Sequence, residues 1–346
     1  MKNTLAAVLL CTLVHLSLTD LCSYNFTFGD MPKTLVGEAL KLFLGGVLNF
    51  ITDCKIVDYN EGQTKFLLYT RNNPNTPIEL NNSNFAILGE RKTILLTHGF
   101  LCNHLNDLLP EMKDAYLARY DKNIIIIDWS AYSLDYYVNC YCNLPKIAKY
   151  VARSLCIADL NGDIRISETH FVGHSMGGQL VGLVGQQVQE ICGKMLYRIS
   201  ALDPAGPLYT GINTKNRLDP TDAQIVMVIH SNTGGLGYPG NCGTVDYYPN
   251  MGSYQKGCSI TDSPVETIVD KAAYPIICSH LRAVSYMIES ISSNRFKGKS
   301  CLLCGSCIPN PFSSTYGTMG EDFTADEVPC SYYMNTRDEP PYGMGV

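Results

Sequence analysis

FVGHSMGG, residues 171–178, is the stretch on which the reading of this chain turns. An apolar pair is followed by Gly173, His174, Ser175, Met176 and Gly177, and then by a further glycine, Gly178. The pattern G-x-S-x-G is that of a nucleophile elbow, in which a strand ends, the chain turns sharply and a helix begins. The serine then sits in a strained backbone conformation with its hydroxyl above the sheet. Glycines are required where a Cβ would strike the neighbouring strand or helix. The same letters also fit a serine in an ordinary glycine-rich turn, so the flanking sequence has to separate the two readings.

The flanks carry a rhythm of short apolar runs. TILLTHGF (93–100), NIIIIDWS (123–130), THFVGHS (169–175), YRISALD (197–203) and QIVMVIH (224–230) are each rich in β-branched residues. KFLLYT (65–70) adds a strand before an Asn/Pro-rich loop. Continuous apolar runs of this kind suit strands buried on both faces. Helix-like stretches lie between them, clearest at 105–120, 144–160 and 176–191. Strand and helix in alternation predict an α/β protein, with a mostly parallel central sheet and helices on both faces. Ser175 falls where a strand ends and a helix opens, which favours the elbow.

The chain has 346 residues, enough for one large core. Its 46% hydrophobic content excludes a disordered chain. A net charge of −6 with no long basic run argues against nucleic acid as a partner. MKNTLAAVLLCTLVHLSLTD reads as a secretory signal over residues 1–19, with Lys2 before a short apolar run and small Ser17 and Thr19 after it. That run is too short to span a bilayer. The expectation is a secreted, extracellular protein whose residues 20–346 form a single domain. Of the 15 cysteines, Cys11 lies in the signal, and the even remainder predicts up to seven disulfides. Cys301, Cys304 and Cys307, with Cys330 downstream, have spacing that could hold zinc, but outside the cell disulfide staples are favoured. Asn25 and Asn81 open N-glycosylation sequons. DLNGDI (159–164) has its glycine at the wrong position for a calcium loop and reads as a polar turn.

A serine hydroxyl needs a base, and the base needs a carboxylate to orient it. In this architecture they follow the serine in the order acid, then histidine. Asp128 ends a strand but precedes Ser175, so it is read as structural. Asp203 ends YRISALD, follows the serine and is fixed by Pro204. His98, His104, His170 and His174 come too early, and His15 lies in the signal. His230, at a strand end, and His280, read as lying in a loop before LRAVSYMIESI, both remain candidates. An oxyanion hole needs backbone donors. Met176, after the serine, supplies one, and Phe100 of the early THGF loop (97–100) supplies the other. His98-Gly99 alone would be an ordinary turn; its place two strands before the elbow gives it meaning.

Residues 258–278, CSITDSPVETIVDKAAYPIIC, hold a capping box, Ser263-Pro264-Val265-Glu266, with proline at the first helical position. Val265, Ile268 and Val269 share one helical face. A core helix packed on the body is the plain reading. The functional reading is a lid that covers an apolar site in water and turns its apolar face to lipid at an interface.

Taken together, LYTRNNP (68–74), LTHGF (96–100), MKDAYL (112–117), NIIIIDWS, FVGHSMGG, LDPAGP (202–207), RLDPTDA (217–223), VIHSNTGGLG (228–237), VDYYPNMG (245–252) and CSHLRAVSYMIESI (278–291) resemble the pancreatic lipase family, in particular its secreted insect-type members. The resemblance covers nearly all of the chain after the signal. It implies an α/β-hydrolase fold, a triad of Ser175, Asp203 and His280, an oxyanion hole of Phe100 and Met176, and a lid closed by a Cys258–Cys278 disulfide. His280 fits the family's Cys-x-His-x-Arg pattern, whereas His230 matches a non-catalytic histidine. The implied activity is hydrolysis of acylglycerol or phospholipid esters at a lipid interface.

Three departures qualify it. The C-terminal β-sandwich is expected to be absent, so no colipase partner is expected. The segment 230–245 is short, as in relatives that cut phospholipids at the sn-1 ester, while the lid is long for those relatives. RLDPTDA matches a calcium site of mammalian relatives at Arg217, Asp219 and Asp222, but Thr214 stands where a carboxylate is expected. No metal and no other cofactor is therefore expected. The alternatives to a lipid esterase are a lipid-binding or storage protein of the same fold that has lost its chemistry, and a water-soluble esterase without interfacial activation.

Overall fold

The structure, a computed structural model, describes Cys54 and residues 59–263, 268–303, 306–323 and 331–345. The signal at 1–19, Asn25, Val265, Cys304 and Cys330 lie outside the described residues.

The apolar runs form the middle of one sheet. Strands β1 (Lys65–Tyr69), β2 (Ile78–Leu80), β3 (Thr93–Thr97), β4 (Asn123–Asp128), β5 (His170–His174), β6 (Leu196–Leu202), β7 (Ala223–Ile229) and β8 (Val245–Pro249) are followed by β9 (Lys297–Leu303), β10 (Ser306–Pro309), β11 (Tyr316–Thr318) and β12 (Ser331–Met334). Their order is β10-β9-β12-β8-β7-β6-β5-β3-β4-β1-β2, with β11 also paired to β9. From β4 through β12 the pairing is parallel. Antiparallel strands close both edges.

The isoleucine run of β4 shows why the sequence folds this way. Ile125 and Ile127 face a core with Leu95, Phe171 and Ile199, while Ile124 and Ile126 face a second core with Leu96, Val172 and Met227. Side chains alternate along a strand, so a run with no polar face demands cover on both sides. Each buried isoleucine contributes roughly 1.5–3 kcal/mol. Helices α1 (Leu109–Arg119), α2 (Ser130–Ser133), α3 (Tyr137–Leu160), α4 (Met176–Cys192) and α5 (Ile268–Ser290) supply that cover. Residues of α3 and α4 fill the first core, and those of α1 and α5 the second. The predicted parallel sheet with helices on both faces is found.

Two helices differ from expectation. α3 begins at Tyr137 and carries Pro145 inside it, rather than starting at 144. α5 likewise carries Pro275 and runs without a break through Cys278 and His280. His280 is therefore on a helix, not in a loop. Each proline removes one i→i−4 hydrogen bond, but buried apolar residues, on both sides of Pro145 and after Pro275, keep the helical course.

Disulfides join Cys54 to Cys142, Cys156 to Cys192 and Cys258 to Cys278. The second ties α3 to the end of α4, where Gly193 closes the helix at φ 65° with its N–H on the Gln189 carbonyl. The expectation of up to seven disulfides is too high. Cys140 and Cys242 are buried thiols, and Cys140 Sγ sits 2.8 Å from the Tyr132 carbonyl rather than facing a cysteine. The sequon residue Asn81 is exposed, its side chain accepting from the Ser83 amide.

The loop after β6 has closed in on itself. Asp219 Oδ1 accepts from the Thr221 amide (2.7 Å) and hydroxyl (2.6 Å), and Asp222 Oδ2 accepts from the Asp219 amide (2.8 Å). The Thr214 and Arg217 carbonyls both accept from Gln186. Burial, with Asp219 beside it, pushes the Asp222 carboxyl up to about 8. The other oxygen of that carboxyl, Oδ1, is buried with no hydrogen-bond partner. A raised acid binds a proton in the folded state that the unfolded chain has lost, so stability declines as pH rises from about 4 to about 8. Within that window the slope should be about 1.4 kcal/mol per pH unit. Thermal melts at pH 5 to 9 should show this slope in the wild type and a flatter one in Asp222→Asn; parallel curves would contradict the assignment.

Candidate active site

Ser175 stands between β5 and α4 at φ 54°, ψ −121°, outside the regions that L-residues favour. Its N–H donates to the Leu202 carbonyl at 3.0 Å. Its own carbonyl accepts from the amides of Gly178 and Ala205, each at 2.9 Å. The turn is tight enough that a Cβ on Gly173 would lie 2.3 Å from the Gly177 carbonyl oxygen, and one on Gly177 would lie 2.4 Å from that of His98. The glycines of the motif are thus steric requirements. The elbow reading is the one the geometry supports.

Asp203 directly follows β6 and is fully buried, itself at a positive φ of 42°. Its Oδ2 is 2.5 Å from Nδ1 of His280. Its Oδ1 accepts from the Ser231 amide at 2.8 Å and the Asn232 amide at 3.0 Å. A Cβ on Gly237 would sit 2.4 Å from Oδ1, so that glycine makes room for the carboxylate. Burial first, and then the neighbouring His174, hold His280 below the usual histidine range, against the pull of Asp203. At neutral pH the imidazole is uncharged and able to accept a proton. The structure separates the two histidine candidates. His230 is turned to Asp246 (2.8 Å) and stacked on Tyr248 at 4.4 Å, so His280 alone of the pair meets Asp203.

The THGF loop lies directly against the elbow, since a Cβ on Gly99 would be 3.0 Å from that of Ser175. His98 is stacked on Trp129 at 5.1 Å, and the Trp129 indole donates to the His98 carbonyl. Asp128, read as structural, lies 3.1 Å from His98 and 2.5 Å from His104. The Phe100 ring packs edge-on against Tyr137 at 4.9 Å. Met176 opens α4, where helix amides have no partner within the helix. Both expected oxyanion donors are therefore on segments that meet at Ser175.

The Cys258–Cys278 bridge is present. Between the cysteines, Ser259 and Asp262 form a capping box on a short 3-10 turn, and α5 starts at Ile268. The box expected at Ser263 runs into residues outside the description, as does Val265; Ile268 and Val269 lie on α5. Sequence reasoning missed the amides of Ser231 and Asn232 that clasp Asp203, because backbone donors leave no letter in the sequence. It also missed Asp107, whose carboxylate accepts from the Gly99 amide at 2.7 Å. A single acid in a polar loop gives no periodic signal.

Comparison with known proteins follows the same lines. Lipase member H of Oryctolagus cuniculus is 28% identical over 302 residues, covering 82% of this chain and 65% of that protein. Phospholipase A1 of Polybia paulista is 31% identical over 260 residues, covering 71% and 75%. Pancreatic triacylglycerol lipase of Mus musculus is 30% identical over 308 residues, covering 80% and 64%. The chain spans about half to two thirds of the length of most curated relatives it matches. Residues 49–342 match the family model described as Lipase, and with its α/β-hydrolase sheet and serine elbow the chain belongs to that family.

Proposed function

We propose that this protein is a secreted carboxylic ester hydrolase that releases fatty acids from acylglycerols or phospholipids. The observation that carries the reading is the Asp203–His280 pair at 2.5 Å beside a serine held at φ 54° on a strand-to-helix elbow. Ser175 attacks the acyl carbonyl while His280 takes the hydroxyl proton. The oxyanion forms near the amides of Met176 and Phe100. His280 then returns the proton to the leaving alcohol, and the acyl-serine forms. Water, deprotonated by the same imidazole, releases the fatty acid. Asp203 keeps Nδ1 protonated and Nε2 free to act, its other oxygen held by two amides.

Secretion is supported by three disulfides among the described residues and by the signal-like start of the sequence. A lipid interface is the proposed partner, met by the disulfide-closed segment 258–278. Relatives that are a phospholipase A1 and a triacylglycerol lipase are about equally similar, so both substrate classes are carried forward. The rival reading, a lipid-binding protein without chemistry, has against it that no member of the serine, acid and base set is replaced.

Ser175→Ala should lower turnover by roughly 10³-fold or more with an unchanged circular dichroism spectrum. Full activity in that variant would refute the mechanism. Fatty-acid release from a triacylglycerol emulsion and from phosphatidylcholine vesicles, measured side by side, should exceed the variant on at least one substrate. Faster vesicle hydrolysis would mean that the short 230–245 segment sets specificity, and faster emulsion hydrolysis that the long lid does. No release above the variant on either would install the binding protein in place of the enzyme.

A further inference from the structure

Asp107 is fully buried in the loop between THGF and α1. It and Leu108 stand at φ 64° and 57°, two consecutive non-glycine residues in the left-handed region. Such a conformation costs about 1–2 kcal/mol per residue and persists only where other contacts impose it. The contacts are not those of a helix cap, because α1 has no side-chain cap. The carboxylate turns instead towards Ser175. Its Oδ2 accepts the Gly99 amide at 2.7 Å, one residue before the candidate oxyanion donor Phe100. Its Oδ1 lies 2.5 Å from Nδ1 of His174, the residue before Ser175, a close ion-pair contact whose angles are not those of a hydrogen bond. The buried His174 ring in turn lies 4.6 Å, centroid to centroid, from that of His280.

Resting on the hydrolase reading, we infer that Asp107 is a positioning residue for the reaction: one oxygen fixes the oxyanion loop, and the other fixes His174 against the catalytic imidazole. Two segments of the site thus meet at one carboxylate, and a third, α5 with His280, is reached through His174. The arrangement has an electrostatic consequence. Burial opposes a charge on His174, but Asp107 outweighs it and holds that imidazole above its usual range. The charged groups facing His280 are then Asp203, His174 and, beyond it, Asp107. When protonated, His174 resists a second positive charge next to it and keeps His280 available as a base to lower pH.

The test compares Asp107→Ala, Asp107→Asn and His174→Gln with the wild type, each rate divided by the number of serines titrated with a fluorophosphonate. In Asp107→Ala, kcat should fall about 10- to 100-fold with little change in KM, as expected when an oxyanion donor is loosened. Asp107→Asn keeps an acceptor for the Gly99 amide and should recover most of that loss. In His174→Gln the acid limb of kcat/KM should move up by about half to one pH unit. The His280 titration followed by NMR should move in the same direction. That titration reads the inference even if the wild type hydrolyses no ester, an outcome that would refute the hydrolase reading alone. Asp107→Ala rates within about twofold of wild type, or a His280 titration unmoved by His174→Gln, would overturn it.

Discussion

The backbone of Ser175 is the constraint on which the rest depends. At φ 54° and ψ −121° it is unfavourable for any residue with a side chain. It is held by bonds to three different places: Leu202 at the end of β6, Ala205 beyond it, and Gly178 in the first turn of α4. The bond to Leu202 sets Asp203 one residue further on. The Gly177 close approach pins the His98 carbonyl, and with it the oxyanion loop. The candidate nucleophile, acid and oxyanion loop are thus placed by the backbone of adjacent parallel strands. A parallel sheet is suited to this, since its strand ends all open at the same edge.

The base arrives differently. His280 is carried on α5, which packs on the second core through Ala283, Val284 and Met287. The Cys258–Cys278 bridge lies two residues before it on the same helix. The segment proposed as a lid and the histidine proposed as the base are therefore tied together by that bridge. Within the site, two histidine–aspartate pairs lie side by side with their imidazoles 4.6 Å apart. Each carboxylate pulls its own ring towards the charged form; for His174 that pull outweighs burial, whereas for His280 burial and the neighbouring His174 outweigh it.

Much of this was legible in the sequence, for physical reasons. Ile124 to Ile127 have no polar face, so they had to form a strand covered on both sides. Gly173 and Gly177 flank Ser175 because nothing larger fits, which is why the motif is readable at all. Asp203 followed from chain order. The short strands β9 to β12 were not legible: KGKSCLL and SCIP carry no alternation strong enough to separate an edge strand from a loop. The helical course of His280 was hidden by Pro275, which reads locally as a boundary but is overridden by packing. The state of Cys140 was hidden because spacing does not say whether a cysteine faces another. Asp107 was hidden because its partners, Gly99 and His174, are distant in sequence or bound through the backbone.

The claim at the centre of this account is that Ser175 is a nucleophile driven by His280. Covalent labelling tests it without choosing a lipid. The protein would be treated with diethyl p-nitrophenyl phosphate and the modified peptide located by mass spectrometry, in the wild type and in His280→Ala. The account predicts a single phosphorylated site, at Ser175, formed far more slowly in the variant. Labelling at another residue, or at Ser175 with equal speed in both proteins, would contradict it.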